Sequence, residues 1–314
     1  MTVAMETLEQ IQETLGEINK RTPDLCFAKF VDFVLHHSPG TEFALPVRDP
    51  GGHGRRAERS DSGPCALRMD WAACVLPRHG EDAHFGHAEA GFVGVADGVG
   101  GCRKHGVDAS AFARELMASA LAKVKLAAKP RRLRPENVLE RAYETAVLNG
   151  TPGASTAVIL SLDRTTLRWA YIGDSAFAVL RDGNIVCRSV PQQHFFNCPY
   201  QLRSDSDGDR LTKAKVGEMS AMRDGDVVVV GTDGLFDNVH DEQLERAVLV
   251  GAELGFSPKN MADVVAGIAY QVSQDECADS PFSREFTKEY GEECCGGKKD
   301  DITVIVAYIV SKNS

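Results

Sequence analysis

Five acidic stretches in this 314-residue chain stand at the ends of apolar runs. The run 91–96 leads straight into Asp97-Gly98, and the run 227–230 leads through Gly231 and Thr232 into Asp233-Gly234. Asp174 follows the run 169–173, Asp300-Asp301 opens the run 302–310, and Glu81-Asp82 follows an apolar run that ends near Leu76. In an antiparallel sheet the exit of one strand lies beside the entrance of its neighbour. Asp97, Asp233 and Asp300 are therefore expected to meet at one sheet end. Carboxylates held together raise one another's pKa, and a hard divalent cation relieves the repulsion. With oxygen ligands and no His or Cys at ligand spacing, the expected ion is Mg²⁺ or Mn²⁺ rather than Zn²⁺. Two such ions, typically about 3.5–4 Å apart, would acidify a bridging water and aim it at a phosphorus or carbonyl centre.

The elements that must position these groups are read from pattern. Strands rich in Val, Ile and aromatics are expected at 66–76, 91–96, 154–162, 167–172, 176–181, 227–232 and 302–310. Helices are expected at 107–127, 135–148, 241–253 and 258–273, the last with Ser257 as N-cap and Pro258 at its first position. Asp182-Gly183 marks a hairpin, and Asp224-Gly225 is read as a turn. Strands come in groups, then helices in pairs, which is not the alternation of a parallel sheet. The order predicts an α+β fold of antiparallel sheets with helices layered outside. Residues 4–20 read as a weak amphipathic helix, 27–35 as an apolar segment and 39–64 as a Gly- and Arg-containing linker. The division expected is an N-terminal extension over 1–65 and one domain over 66–314.

Bulk chemistry narrows the function. Lys and Arg number 35 against 45 Asp and Glu, a net charge of −10, so the surface repels nucleic acid and anionic lipid on average. Nine cysteines without a C-x-x-C pair argue against a zinc ribbon or a disulfide framework. No apolar run approaches the ~18–20 residues of a transmembrane helix, and no secretory signal is expected. Asp205, Asp207 and Asp209 begin like a calcium loop, but Arg210 and Val216 stand where Gly and Glu are needed, so a solvated loop is expected. Cys294-Cys295 are read as loop cysteines rather than a redox-sensing pair, and His194 as a loop or core histidine rather than a ligand.

Six fragments occur in order: Gly80-Glu-Asp-Ala83, Gly94-Val-Ala-Asp-Gly-Val-Gly-Gly101, Gly153-Ala-Ser-Thr-Ala157, Ile172-Gly-Asp-Ser175, Gly231-Thr-Asp-Gly-Leu-Phe-Asp237 and Asp300-Asp-Ile-Thr-Val304. Together they resemble the motifs of the PPM/PP2C metal-dependent serine/threonine protein phosphatases over residues 66–310. Asp-Gly-Val-Gly-Gly and Gln192-Gln-His-Phe-Phe-Asn197 are similar to the PTC7-like branch. The resemblance implies a four-layer αββα sandwich of two antiparallel sheets flanked by helices. It implies two Mg²⁺ or Mn²⁺ ions per site, with a third in some members, and a phosphoprotein substrate. It assigns Asp97 to bridge both ions and the Gly98 carbonyl and Glu81 to the second. Asp82 contacts metal-bound water, Asp233 and Asp300 hold the first ion, and Asp174 helps hold a third. Asp237 would stand behind the ligands, and Asp301 occupies a position where many members have Asn. A bridging hydroxide would then attack phosphorus in line, with no phosphoenzyme.

Two departures from the family pattern concern the chemistry. Val99 stands where many members have a His proposed to protonate the leaving alkoxide, which leaves metal-bound water or His105 for that role. Pro77 stands where a phosphate-binding Arg is usual, with Arg78 one residue closer to Glu81. Arg78 is thus the candidate for holding phosphate, alongside a reading as a surface arginine. The alternative function is a pseudophosphatase that binds a partner without turnover, which the retained Asp97, Asp233 and Asp300 argue against. Substrate choice is expected in a flap at 188–226. The family default is a monomer. PTC7-like members are often mitochondrial while this N-terminus is acidic, so the expected compartment is the cytoplasm or the mitochondrial matrix.

Overall fold

In the computed structural model, which describes residues 67–205 and 208–312, the valine run 227–230 lies in a strand buried on both faces. The strands in chain order are β1 (Leu67–Leu76), β2 (Ala83–His87), β3 (Phe92–Ala96), β4 (Ala154–Ser155), β5 (Ala157–Asp163), β6 (Thr166–Ile172) and β7 (Ala176–Arg181). They continue with β8 (Asn184–Arg188), β9 (Gln193–Phe195), β10 (Cys198–Pro199), β11 (Leu202–Arg203), β12 (Lys215–Met219), β13 (Val227–Gly231) and β14 (Ile302–Ser311). The α-helices are α1 (Ala109–Leu126), α2 (Pro135–Leu148), α3 (Asp233–Phe236), α4 (Asp241–Glu253), α5 (Pro258–Gln274) and α6 (Pro281–Tyr290).

Two five-stranded sheets, ordered β1-β14-β13-β7-β8 and β12-β6-β5-β3-β2, are antiparallel at every pair. Alternation assigns each residue to a layer. Val228, Val230, Ile305 and Ala307 face Val93, Val95, Val158 and Leu160 between the sheets. Their neighbours Val227, Val229, Val304 and Val306 face outward onto Leu244, Val265 and Ile268 of α4 and α5. Phe92 and Ile159 pack against Phe112, Leu116 and Leu139 of α1 and α2. The result is the four-layer αββα sandwich. Full burial of one such side chain is worth about 1.5–3 kcal/mol, so the three apolar layers hold the scaffold and leave the sheet ends free for polar work.

The helix ends follow from their caps. The Asp108 carboxylate accepts the Ser110 N–H at the start of α1, and the Ser257 hydroxyl accepts the Asn260 N–H at the start of α5. Asp182 and Gly183 both have positive φ, 50° and 79°, which is the geometry that folds β7 back onto β8. Three elements depart from the sequence reading. The segment 188–226 is not all flap, because β12 pairs with β6 and forms an edge of the second sheet. Strand β2 and helix α6 were not expected at all. Among the described residues no helix is long and apolar enough to cross a membrane. The expectations for 1–65 lie outside the described residues.

Candidate active site

The glycines of the two Asp-Gly pairs are required by close approach rather than by turn geometry. A Cβ on Gly98 would sit 2.2 Å from the Ala109 carbonyl oxygen, and one on Gly234 would sit 2.0 Å from that of Asp301. Both pairs are thereby pressed against neighbouring backbone at the sheet ends. Asp97 is fixed further by the Gly153-Ala-Ser-Thr stretch. The Asp97 N–H donates to Thr156 Oγ1 at 3.1 Å, and the Asp97 carbonyl accepts from the Ser155 hydroxyl at 2.8 Å and the Thr156 N–H at 2.9 Å.

The loop between β1 and β2 is held from the other end of the chain. Asp301 Oδ1 accepts the N–H groups of Arg78, His79 and Gly80, and its Oδ2 accepts that of Glu81 at 2.6 Å. Asp301 is buried, and both of its oxygens are taken by backbone donors. Asp300 is the member of the pair that faces the other carboxylates. The loop delivers Glu81 and Asp82, and the Thr232 hydroxyl donates to Asp82 Oδ2 at 2.8 Å.

Glu81, Asp97, Gly98, Asp233 and Asp300 line one cleft of about 350 Å³. Asp174 and Asp82 are not among the lining residues, but both are close enough for their charges to act on Asp97. A larger hollow of about 560 Å³, bordered by His240, Arg246, Gln271 and Arg284, holds none of these carboxylates. Arg284 there is paired with Asp279. Arg78 is exposed and outside the cleft lining; the site uses its backbone N–H. The guanidinium in the lining belongs to Arg103, whose Nε lies 2.7 Å from Glu81 Oε1. Val99 and His79 also line the cleft, whereas His105 is exposed on the 3₁₀ turn Gly100–His105 and outside the lining.

Crowding sets the electrostatics. Burial pushes the Asp97 carboxyl well above the usual carboxylate range, and the charges of Asp233, Asp82, Asp300 and Asp174 push it further. Burial likewise raises Asp174 to about 8, with Asp233 and Asp237 adding to it, and raises Asp237 to about 6 against the pull of Lys298. Burial and Asp233 raise Asp300. Glu81 is raised by burial in spite of Arg103. Asp82 Oδ1, Asp174 Oδ1 and Asp233 Oδ1 are buried without a hydrogen-bond partner. Oxygen donors left bare in this way fit a hard divalent cation. Among the described residues no three acidic, His or Cys side chains are drawn in around a single ion position. Three of the carboxylates instead surround the ammonium of Lys298. Burial alone would lower the pKa of that ammonium, but Asp233, Asp237 and Asp300 hold it well above the usual lysine value.

The sequence reading assigns no role to Lys298, Arg103 or Asn238, and Thr156 enters it only as part of the Gly153–Ala157 fragment.

Part of the segment 188–226 borders the cleft. Asn197 and Pro199 line it, and Gln193 Nε2 donates to Asp174 Oδ2 at 3.1 Å. Phe196 packs on Phe282, Phe286 and Tyr290 of α6 with ring centroids 5.1, 5.7 and 5.8 Å away. Within this segment Asp209 is buried, with His194 Nε2 at 3.0 Å and Lys213 Nζ at 2.8 Å. This corrects the reading of a solvated loop for that residue: its charge is satisfied inside the fold.

Residues 78–262 match the family model described as protein phosphatase 2C. The chain is 49% identical to a putative protein phosphatase 2C 23 of Oryza sativa subsp. japonica, across 99% of each chain. It is 37% identical to the protein phosphatase PTC7 homolog of Xenopus laevis, covering 78% of this chain and 87% of that one. Among solved structures, the photosystem II phosphatase PBCP is similar at 31% identity with a TM-score of 0.68, over 76% of this chain and 98% of that one.

Proposed function

The chain belongs to the protein phosphatase 2C family of serine/threonine phosphatases, on its PTC7-like branch, and from that premise we propose how its cleft works on phosphoserine and phosphothreonine in proteins. The observation that carries the reading is the set of bare, buried oxygens of Asp82, Asp174 and Asp233 at one sheet end. Buried acceptors without donors are costly, and cations are the partners left to them. Asp97, the Gly98 carbonyl, Glu81, Asp233 and Asp300 would hold two Mg²⁺ or Mn²⁺ ions, with Asp82 behind them and Asp174 toward a third. When bound, the ions supply an acidified water as nucleophile and neutralise charge on the phosphoryl oxygens.

The remaining work falls to side chains of this protein. Arg103 spends its Nε on Glu81. Its two terminal nitrogens are left to grip two phosphoryl oxygens in a fork, the role that Arg78 lies outside the cleft to fill. Among the described residues the imidazole in the cleft lining is that of His79, which can pass a proton to the leaving alkoxide where Val99 cannot.

The test is hydrolysis of a phosphothreonine peptide with and without Mn²⁺, beside Asp97→Asn. The expected result is metal-dependent turnover that falls on the order of 10²–10³-fold or more in the variant. Intact Mn²⁺ binding without turnover would favour a protein that binds phosphoproteins and does not cleave them.

A further inference from the structure

Asp233, Asp237 and Asp300 already surround a cation, and the chain itself provides it. The Lys298 ammonium contacts Asp233 Oδ2 and lies 2.9 Å from Asp237 Oδ2 and 3.4 Å from Asp300 Oδ2. Its side chain is 14% exposed, and the Phe282 ring centroid lies 5.8 Å from Nζ. The backbone beneath it is set as firmly. The fully buried Asn238 accepts the Lys298 N–H through Oδ1 at 2.9 Å and donates Nδ2 to the Lys298 carbonyl at 2.9 Å. Gly297 is pressed against α5, where a Cβ would sit 2.1 Å from the Val272 carbonyl oxygen. The two-way clasp and the close approach fix the point from which the side chain reaches, so the ammonium is aimed at these oxygens rather than resting on them.

An ammonium and a divalent ion cannot share the outer oxygens of Asp233 and Asp300 without close like-charge repulsion. We propose that Lys298 is a tethered counter-cation of this centre, which a divalent metal must displace in order to load. The proposal rests on the metal-centre reading above. It offsets part of the negative charge of the metal-free site, and it sets metal affinity below what the same carboxylates would give alone. Loading then moves the ammonium out toward the cleft mouth.

The experiment measures Mn²⁺ affinity by titration calorimetry on the full chain, comparing the native protein with Lys298→Met. The variant is expected to bind Mn²⁺ at least tenfold more tightly. It should melt at a lower temperature than the native protein in EDTA and at the same temperature in saturating Mn²⁺. A second readout keeps the test decisive if the variant does not fold. Acetylation of the native protein with an N-hydroxysuccinimide ester, followed by mass spectrometry, should modify Lys298 at least threefold faster with Mn²⁺ than with EDTA. Lys125, exposed on α1 and outside the cleft lining, serves as the internal reference. Equal or weaker Mn²⁺ affinity in the variant, or acetylation of Lys298 indifferent to Mn²⁺, overturns the counter-cation while leaving the metal centre standing. Failure of both proteins to bind Mn²⁺ overturns the metal centre and this proposal with it.

Discussion

The Asp301 carboxylate accepts the backbone N–H of Glu81 at 2.6 Å, which ties the entrance of β14 to the loop that carries two site carboxylates. Hydrogen bonds to a charged group are worth about 1.5–3 kcal/mol each, but part of this loop can rehydrate. Asp301→Ala is expected to cost about 2–4 kcal/mol of stability by urea unfolding. Activity should fall further than stability at temperatures where the variant is still folded, because Glu81 and Asp82 lose their placement. A variant with native turnover would show that the tie does not position the site.

Gly234 can be tested without touching a charge. A methyl group there meets the Asp301 carbonyl oxygen, which is backbone and cannot swing aside. Overpacking typically costs about 1–3 kcal/mol, occasionally more. Gly234→Ala is expected at or above the top of that range by thermal melting, with Asp233 displaced and turnover lost. A variant as stable as the native protein would contradict the close packing.

The two arginines near Glu81 make opposite predictions. Arg103→Ala is expected to lower kcat/KM for a phosphopeptide by about 10–100-fold, the size of a lost charge-assisted contact. Arg103→Lys should recover only part, since an ammonium cannot form the fork. Arg78→Ala should leave kcat/KM within about twofold, because its backbone N–H survives the change. Steady-state kinetics on the three variants separate the roles, and a larger loss at Arg78 would reverse the assignment.

Asp209 gives a pH dependence with a definite sign. Burial pushes its carboxyl up, but Lys213, the Gln201 N–H and His194 outweigh this and hold it below the ordinary aspartate value. A group depressed in the folded state stabilises above its unfolded pKa, about 3.9, and loses that contribution as pH falls through the lower folded value. Protection of the Gln201 amide, which donates to Asp209 Oδ2 at 3.0 Å, should hold from neutrality down to about pH 4 and decline below it. Hydrogen exchange corrected for intrinsic rates measures this. In Asp209→Asn, whose amide oxygen can still accept that N–H but does not titrate, the decline below about pH 4 should be absent.

The sandwich was legible because its strands are long and apolar. The run 227–230 and the run 302–310 announce burial on both faces without any tertiary knowledge. Strand β2 was not, since Ala83-His-Phe-Gly-His87 offers one strong β-former and gains its place by pairing with β3. Helix α6 carried the same Ser-Pro opening as α5. Its apolar residues Phe282, Phe286 and Tyr290 form a single aromatic stripe that meets Phe196 rather than the core, so the usual core-facing pattern was missing. In the site, Asp97, Asp233 and Asp300 were readable because each ends or begins an apolar strand. Arg103 and Lys298 were not, because what defines them is the carboxylate each meets across the fold, and no local spacing encodes that.

The aromatic stripe on α6 has a thermal consequence. It holds the flap by ring contacts, and apolar association weakens on cooling, whereas the cleft carboxylates are held by charge and hydrogen bonds. Cold should therefore slacken the hold of α6 on the segment that carries Phe196.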